Sequence, residues 1–209
     1  MPGAVIIGAG PGIGRSVARR FAKEGLAVGL VSRTGDDLGL EGVRTYRADC
    51  ADEDELRAAL DAAAGEFGTP DAVVYNAAII RPDSPGEANV RAQLDAWAVN
   101  VVGALIAAAH VAPAMARRGG GTFIVTGGMP EPKAQYVSLS LGKAGVRTLV
   151  AMLDEEYGPS GVHAASVTVA GPVAPGTAFD PDDIADHYWR LHTQPRDQWE
   201  LEALHTDAS

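Results

Sequence analysis

Glycines at positions 8, 10, 12 and 14 punctuate "GAGPGIGRSVARRFAKEG", a stretch that follows an apolar run and opens a helical pattern. A strand turning this tightly into a helix aims backbone N–H groups and the positive helix end at one place, where an anion is favoured. The chemistry this suits is pyrophosphate binding. Gly8 makes the turn, Gly12 admits the phosphates and Gly14 lets helix and strand approach, with Gly10 and Ile13 completing the loop. The same glycines would serve a plain strand–helix connection, but their place after the first strand favours a dinucleotide.

A second chemistry-bearing pair ends the next apolar run, in "VSRTG". A carboxylate there accepts hydrogen bonds from the 2′-hydroxyl of NAD, whereas a cation pairs with the 2′-phosphate of NADP. Ser32 occupies the acidic slot and Arg33 follows it. A guanidinium grips phosphate with a planar fork, and the serine removes a repelling charge. NADP is the expected cofactor and NAD the less favoured one. The alternative is an arginine captured by Asp36 or Asp37.

Other chemistries find less support. The five histidines, at 110, 163, 187, 192 and 205, lack metal-ligand spacing, and no metal is expected. "GPSG" (158–161) is not the G-x-S-x-G of a hydrolase elbow. The 209 residues include 17 Lys+Arg against 27 Asp+Glu, and the net charge of -10 argues against nucleic acid or an anionic membrane as partner. One cysteine, Cys50, excludes an internal disulfide and suits a reducing compartment. The first apolar run starts without a basic leader and no later stretch reads as long enough to cross a bilayer, so the expected location is the cytoplasm.

The elements that must position these residues alternate along the chain. Runs at 4–7, 27–32, 43–48, 71–76, 122–127 and 165–170 read as strands, nearly continuous in apolar residues as a sheet covered on both faces requires. Helical patterns cover about 13–24, 53–66, 88–117, 134–157 and 181–191, and 198–204 is a candidate seventh, edge strand. The expectation is α/β: a single Rossmann-like domain over 1–209, its doubly wound parallel sheet of six to seven strands carrying helices on both faces. Only residues 33–42 join strands two and three, too few for a full crossover, so the helix there must be vestigial or absent.

The spacing G-x-x-x-G-x-G resembles the short-chain dehydrogenase/reductase family, and the resemblance runs the length of the chain. "ADCAD" (48–52) is similar to the family's Asp-Val-x-Asp, which implies that Asp49 bonds the adenine and Cys50 lines it. "VYNAA" (74–78) is similar to Asn-Asn-Ala-Gly and places Asn76 and Ala77 beside the ribose. "WAVNVVG" (97–103) resembles the asparagine-bearing helix, giving Asn100, and "GKAGVRTL" (142–149) the segment after the active-site lysine, giving Lys143. "VAGPVAPGT" (169–177) resembles the Pro-Gly turn after strand six, with Gly171 near the cofactor and the backbone of Val173 on the carboxamide.

In that family a tyrosine exchanges the proton at the substrate oxygen, and a lysine four residues later lowers its pKa and holds the ribose. A serine orients the carbonyl and an asparagine anchors a relay water. Asn100 and Lys143 keep their roles, but Leu139 fills the tyrosine slot and Gly127 or Gly128 the serine slot. Tyr136, one turn before Leu139, shares roughly its face but leans toward the helix N-terminus, away from Lys143; it still reaches the mouth of the cleft. Thr126, ending strand five, is level with a carbonyl to be oriented, and Tyr188 or Trp189 is a candidate wall of a small or open pocket.

The implied function is an NAD(P)-dependent oxidoreductase acting on a small carbonyl or alcohol through an altered centre. The alternatives are an NADP(H)-binding sensor or inactive subunit without turnover, and a non-redox enzyme on the same scaffold. The small, apolar faces of 88–117 and 134–157 coincide with the family's main dimer interface and imply a homodimer or homotetramer.

Overall fold

The computed structural model describes residues 2–87 and 89–207. The first residue of the helix expected at 88, and the ends of the span 1–209, lie outside them. Seven strands form one sheet: β1 (Gly3–Ile7), β2 (Ala27–Ser32), β3 (Arg44–Arg47), β4 (Ala72–Tyr75), β5 (Gly121–Thr126), β6 (Val162–Val169) and β7 (Glu202–His205). Their order is β3-β2-β1-β4-β5-β6-β7 and every adjacent pair is parallel. The flanking helices are α1 (Ile13–Lys23), α2 (Glu53–Phe67), α3 (Val90–Trp97), α4 (Gly103–Arg118), α5 (Val137–Tyr157) and α6 (Pro181–Thr193).

Each strand sends alternate side chains to opposite faces, and this splits the interior into two cores. Val5, Ile7, Val73 and Val125 pack under α2, α4 and α5 with Leu60, Val111 and Val146. Ala4, Ile6, Val74 and Ile124 pack under α1 and α6 with Val17, Phe21 and Ile184. Strand order reverses direction between β1 and β4, and at such a switch point the strand ends leave a crevice.

No helix joins β2 to β3. The loop is closed instead by Asp36, which accepts from the Leu38 N–H, and by Asp37, which accepts from the Gly39 N–H. The expected helix over 88–117 is two α-helices joined by a π-helical turn at Ala98–Val102. That turn keeps Val90–Arg118 continuous over 29 residues, and this corrects one expectation: by length and composition alone the stretch is apolar and long enough to cross a bilayer. Half of its most apolar window is nevertheless buried within the fold.

Two strand boundaries also move. β6 begins at Val162 rather than 165 because His163 is buried, its ring nitrogens facing the carbonyl oxygens of Leu191 and Glu200 at 3.0 and 2.9 Å. β7 begins at Glu202 rather than 198, since 196–198 form a 3₁₀ turn that Arg196 ties to the carbonyls of Gly158 and Pro159.

Candidate functional site

The C-terminal ends of the strands open into a cleft of about 1480 Å³. This exceeds the ~300–1,000 Å³ of a pocket for one small ligand and leaves room for an elongated ligand beside a second reactant. Its floor at one end is the glycine turn. Gly8 has φ +76°, and a Cβ there would lie 2.4 Å from the Cα of Ala77, so this glycine is required by the fold. Gly10 and Gly12 are different: a Cβ on either meets nothing within 4 Å, because both face the open cleft. Gly12 is also the N-cap of α1 and supplies no side-chain cap. The Arg15 N–H donates to Gly10 O at 2.9 Å, and the Gly12, Ile13 and Gly14 amides ahead of it are the donors placed for an anion.

The segment after β4 is fastened to this turn. The Asn76 amide donates to Gly8 O at 2.9 Å and its Oδ1 accepts from Thr126 Oγ1 at 2.8 Å, tying the ends of β1, β4 and β5 together. Ala77, Ile13, Gly14, Gly171 and Val173 also line the cleft. So do Asp49 and Cys50 beyond β3; burial pushes the Cys50 thiol up, partly offset by its hydrogen bond with Tyr75. Ser32 accepts from the Gly35 N–H at 3.0 Å. Arg33 lines the rim, exposed, with no ion pair among the described residues, because Asp36 and Asp37 are occupied by their own loop.

The other half of the cleft is sparser. Lys143 enters from α5, is 7% exposed, and donates from Nζ to Thr126 O at 2.6 Å. Burial alone pulls its pKa down to about 8. Leu139, one turn earlier, lines the cleft and carries no polar atom. Of the two glycines open to a serine role, Gly127 has no room: a Cβ would stand 2.3 Å from Thr168 Oγ1. Gly128 has room, its nearest neighbours being Lys143 Cε at 3.6 Å and Val169 O at 3.7 Å, and its carbonyl accepts from Arg147.

Three expected participants stand differently from their sequence reading. Asn100 lies in the π turn, 2% exposed and away from the cleft; its Oδ1 accepts from Ile79 N–H at 2.7 Å and its Nδ2 donates to Ile79 O. Its amide thus positions the segment after β4 rather than facing a ligand. Thr126 Oγ1 is committed to Asn76 and to the Tyr188 hydroxyl at 2.7 Å. Tyr136 is not helical: it is the N-cap residue of α5, with φ -143°, held by backbone pairing to Asp83, and it lines the cleft mouth. The helical lean expected of it does not apply. Tyr188 and Trp189 line no part of the cleft, since Tyr188 is buried and Trp189 packs edge-on against Phe21.

Several lining residues carry no motif: Ile79 and Ile80 after β4, Met129 to Glu131 after β5, and Leu204 and Thr206 at the end of β7. The rule that ligands sit beyond the carboxyl ends of parallel strands would have found the first two groups. β7 starts at Glu202, four residues beyond the expected 198, and so brings the third group to the strand end.

A parallel sheet with a glycine turn at its switch point and a long cleft above the strand ends defines a dinucleotide-binding protein of the doubly wound class. A model of the short chain dehydrogenases matches residues 3–180, and the chain belongs to that family. It is similar to the cis-4-hydroxycyclohexanecarboxylate dehydrogenase of Sinomonas cyclohexanicum, with 34% identity over 191 residues, 85% of this chain and 74% of the relative. The D-threitol dehydrogenase of Mycolicibacterium smegmatis is 28% identical over 178 residues, 79% of this chain and 68% of that one. Among solved structures, a metagenomic short-chain oxidoreductase in complex with NADP superposes with a TM-score of 0.85 at 25% identity, covering 97% of this chain and 96% of that one.

Proposed function

We propose that this protein is an NADP(H)-dependent oxidoreductase that interconverts a small carbonyl compound and its alcohol, built as one nucleotide-binding domain. The observation that carries the cofactor choice is the rim of β2: Ser32 brings no charge, and Arg33 is exposed and without an ion pair among the described residues. The amides at Gly12 to Gly14 would hold the pyrophosphate, Asp49 and Cys50 the adenine, and Asn76 and Ala77 the ribose. The loop at Gly171 to Val173 would hold the carboxamide. Bound nicotinamide would supply or accept the hydride. The altered half of the site, Leu139 with Gly128, leaves Lys143 as the buried polar group on that wall.

Two features support the rest of the reading. Val90, Leu94, Trp97 and Leu105 on α3 and α4, with Leu141 and Met152 on α5, are large apolar side chains left exposed. They suit a homodimer or homotetramer closed through these helices. Free Cys50 suits a reducing cytoplasm. The test is to titrate the protein with NADPH and NADH by nicotinamide fluorescence, then to follow NADPH oxidation with a panel of ketones, diketones and quinones. Tighter NADPH binding with stoichiometric oxidation is the expected result. Equal affinities would remove the cofactor choice, and binding without oxidation would favour a sensor or inactive subunit.

A further inference from the structure

We propose that Lys143 is itself the acid–base group of this site, its ammonium delivering the proton to the substrate oxygen where relatives use a phenol. The proposal rests on the oxidoreductase reading above. Its basis is what surrounds the side chain. Nζ spends one hydrogen on Thr126 O and has no carboxylate partner among the described residues. Leu139 puts no hydroxyl between the lysine and the cleft, and the missing side chain of Gly128 leaves space directly beside Cε and Cγ, at 3.6 and 3.8 Å from a Cβ there. A carbonyl oxygen is thus free to approach an amine that a tyrosine and a serine would otherwise screen.

Other donors on the floor are engaged. The Thr126 hydroxyl is held by Asn76 and Tyr188, and the Asn100 amide, away from the cleft, donates to Ile79 O. Tyr136 stands at the mouth and is the rival. Burial brings the Lys143 ammonium to about 8, near the working range of a general acid. The charged groups that share the cleft with it are Glu131 and Lys133 on the loop after β5 and Arg33 and Asp49 beyond β2 and β3, with Arg147 one turn on along α5. Burial is nevertheless the cause of the shift.

The step balances without further reagents. Hydride from the reduced nicotinamide forms the new C–H bond and pushes the carbonyl electron pair onto oxygen. That oxygen takes a proton from Nζ, and the N–H pair stays on nitrogen. The neutral amine regains a proton from solvent through the open cleft. In alcohol oxidation the amine is the base.

The chain has only three lysines, at 23, 133 and 143, so carbon-13 NMR of Cε in the free protein can follow Lys143 alone. A midpoint near 8 is expected; one above about 10, the ordinary range, overturns the proposal. In single turnovers, reduction should fall tenfold per pH unit above this midpoint, and oxidation should rise tenfold per unit below it and level off above. Lys143→Arg keeps the charge but releases no proton at these pH values. It should bind NADPH within a few-fold of the parent and lose about a hundredfold in hydride transfer. Lys143→Ala provides the second route: added primary amines should restore turnover at rates that follow their pKa. Lys143→Arg at parental speed, rescue indifferent to amine pKa, or a pH limb that vanishes only in Tyr136→Phe overturns the proposal alone. A parent that fails to bind NADPH, or binds it and turns over nothing, overturns the oxidoreductase reading and the proposal with it.

Discussion

The two halves of the cleft are built to different standards of completeness. At the nucleotide end, an uncapped helix terminus, two outward-facing glycines and an exposed arginine rim converge, and Asn76 locks three strand ends beneath them. At the other end, Leu139 and Gly128 line the cleft without a hydroxyl, beside one buried lysine, Lys143. The difference teaches that binding and chemistry are separable on this scaffold. On the function proposed above, backbone amides and strand ends, fixed by the fold, would carry the first, and two or three side chains on α5 and after β5 the second.

The largest test of that separation lies in the glycines. Gly12→Val places a branched side chain in open cleft, so NADPH affinity should fall more than about a hundredfold, as a steric block of an anion site implies. Far-UV circular dichroism should stay at the parental shape. Gly8→Ala should do the opposite and cost about 3 kcal/mol of stability or more, since it combines a positive φ with a backbone clash. A Gly12→Val protein that binds normally would mean the turn is only a connection.

Arg33→Ala sharpens the nucleotide end. Losing a charge-assisted contact of about 1.5–3 kcal/mol should weaken NADPH by roughly 10- to 100-fold and leave NADH unchanged. Isothermal titration with both nucleotides decides it, and a parallel loss for NADH would mean Arg33 serves the loop.

Lys143→Met separates stability from chemistry at the other end of the cleft. The folded pKa lies near 8, below the ordinary 10.5. Between those values the unfolded chain holds the extra proton, so stability rises with pH across that window and the buried charge costs most below it. The shift corresponds to about 3 kcal/mol, less about 1 for the lost bond to Thr126 O. The variant should therefore be about 2 kcal/mol more stable than the parent at neutral pH by urea denaturation, and up to about 1 kcal/mol less stable near pH 10.5, where only the lost bond counts. A variant less stable than the parent at neutral pH would show that the ammonium is better solvated than its burial implies.

The smallest effect is expected from restoring the phenol. Leu139→Tyr places a hydroxyl four residues before Lys143, whose charge favours its ionisation. Reduction of diketones with NADPH should rise about tenfold, a fraction of what a fully positioned acid supplies. Adding Gly128→Ser should raise it further, against the cost of rotating a backbone now at φ +158°. A parent slowed by Leu139→Tyr would mean that leucine shapes the natural pocket.

That the glycines and Ser32 with Arg33 meet in one cleft was legible in the sequence, because turn chemistry is local and both follow a strand; Asn76 came from the family resemblance. The sheet was legible for the same reason, since buried parallel strands are unbroken apolar runs. At the other end the sequence offered Lys143, Tyr136 and Thr126, which line the cleft, and two slots without a hydroxyl, but not how these side chains are held. Asn100 was expected to anchor a relay water, and no local pattern signals that its amide meets Ile79 across 21 residues. Tyr136 looked helical because the apolar stripe of α5 gives no cue that pairing with Asp83 holds it extended. His163 hid the start of β6, a polar residue whose partners come from two distant segments.

Arg33 also bears on how fast a nucleotide arrives. The chain as a whole is acidic, with a net charge of -10, and a polyanionic ligand diffuses toward it against a repulsive field. The exposed guanidinium at the rim is a local attractor inside that field. Added salt screens both, over a Debye length of about 10 Å at 0.1 M. The long-range repulsion acts on encounter, so the association rate should climb with ionic strength, contrary to the usual behaviour of steered binding. The short-range contact acts on residence, so dissociation should quicken as well. Stopped-flow rates would reveal opposing trends that an equilibrium constant, nearly flat in salt, conceals.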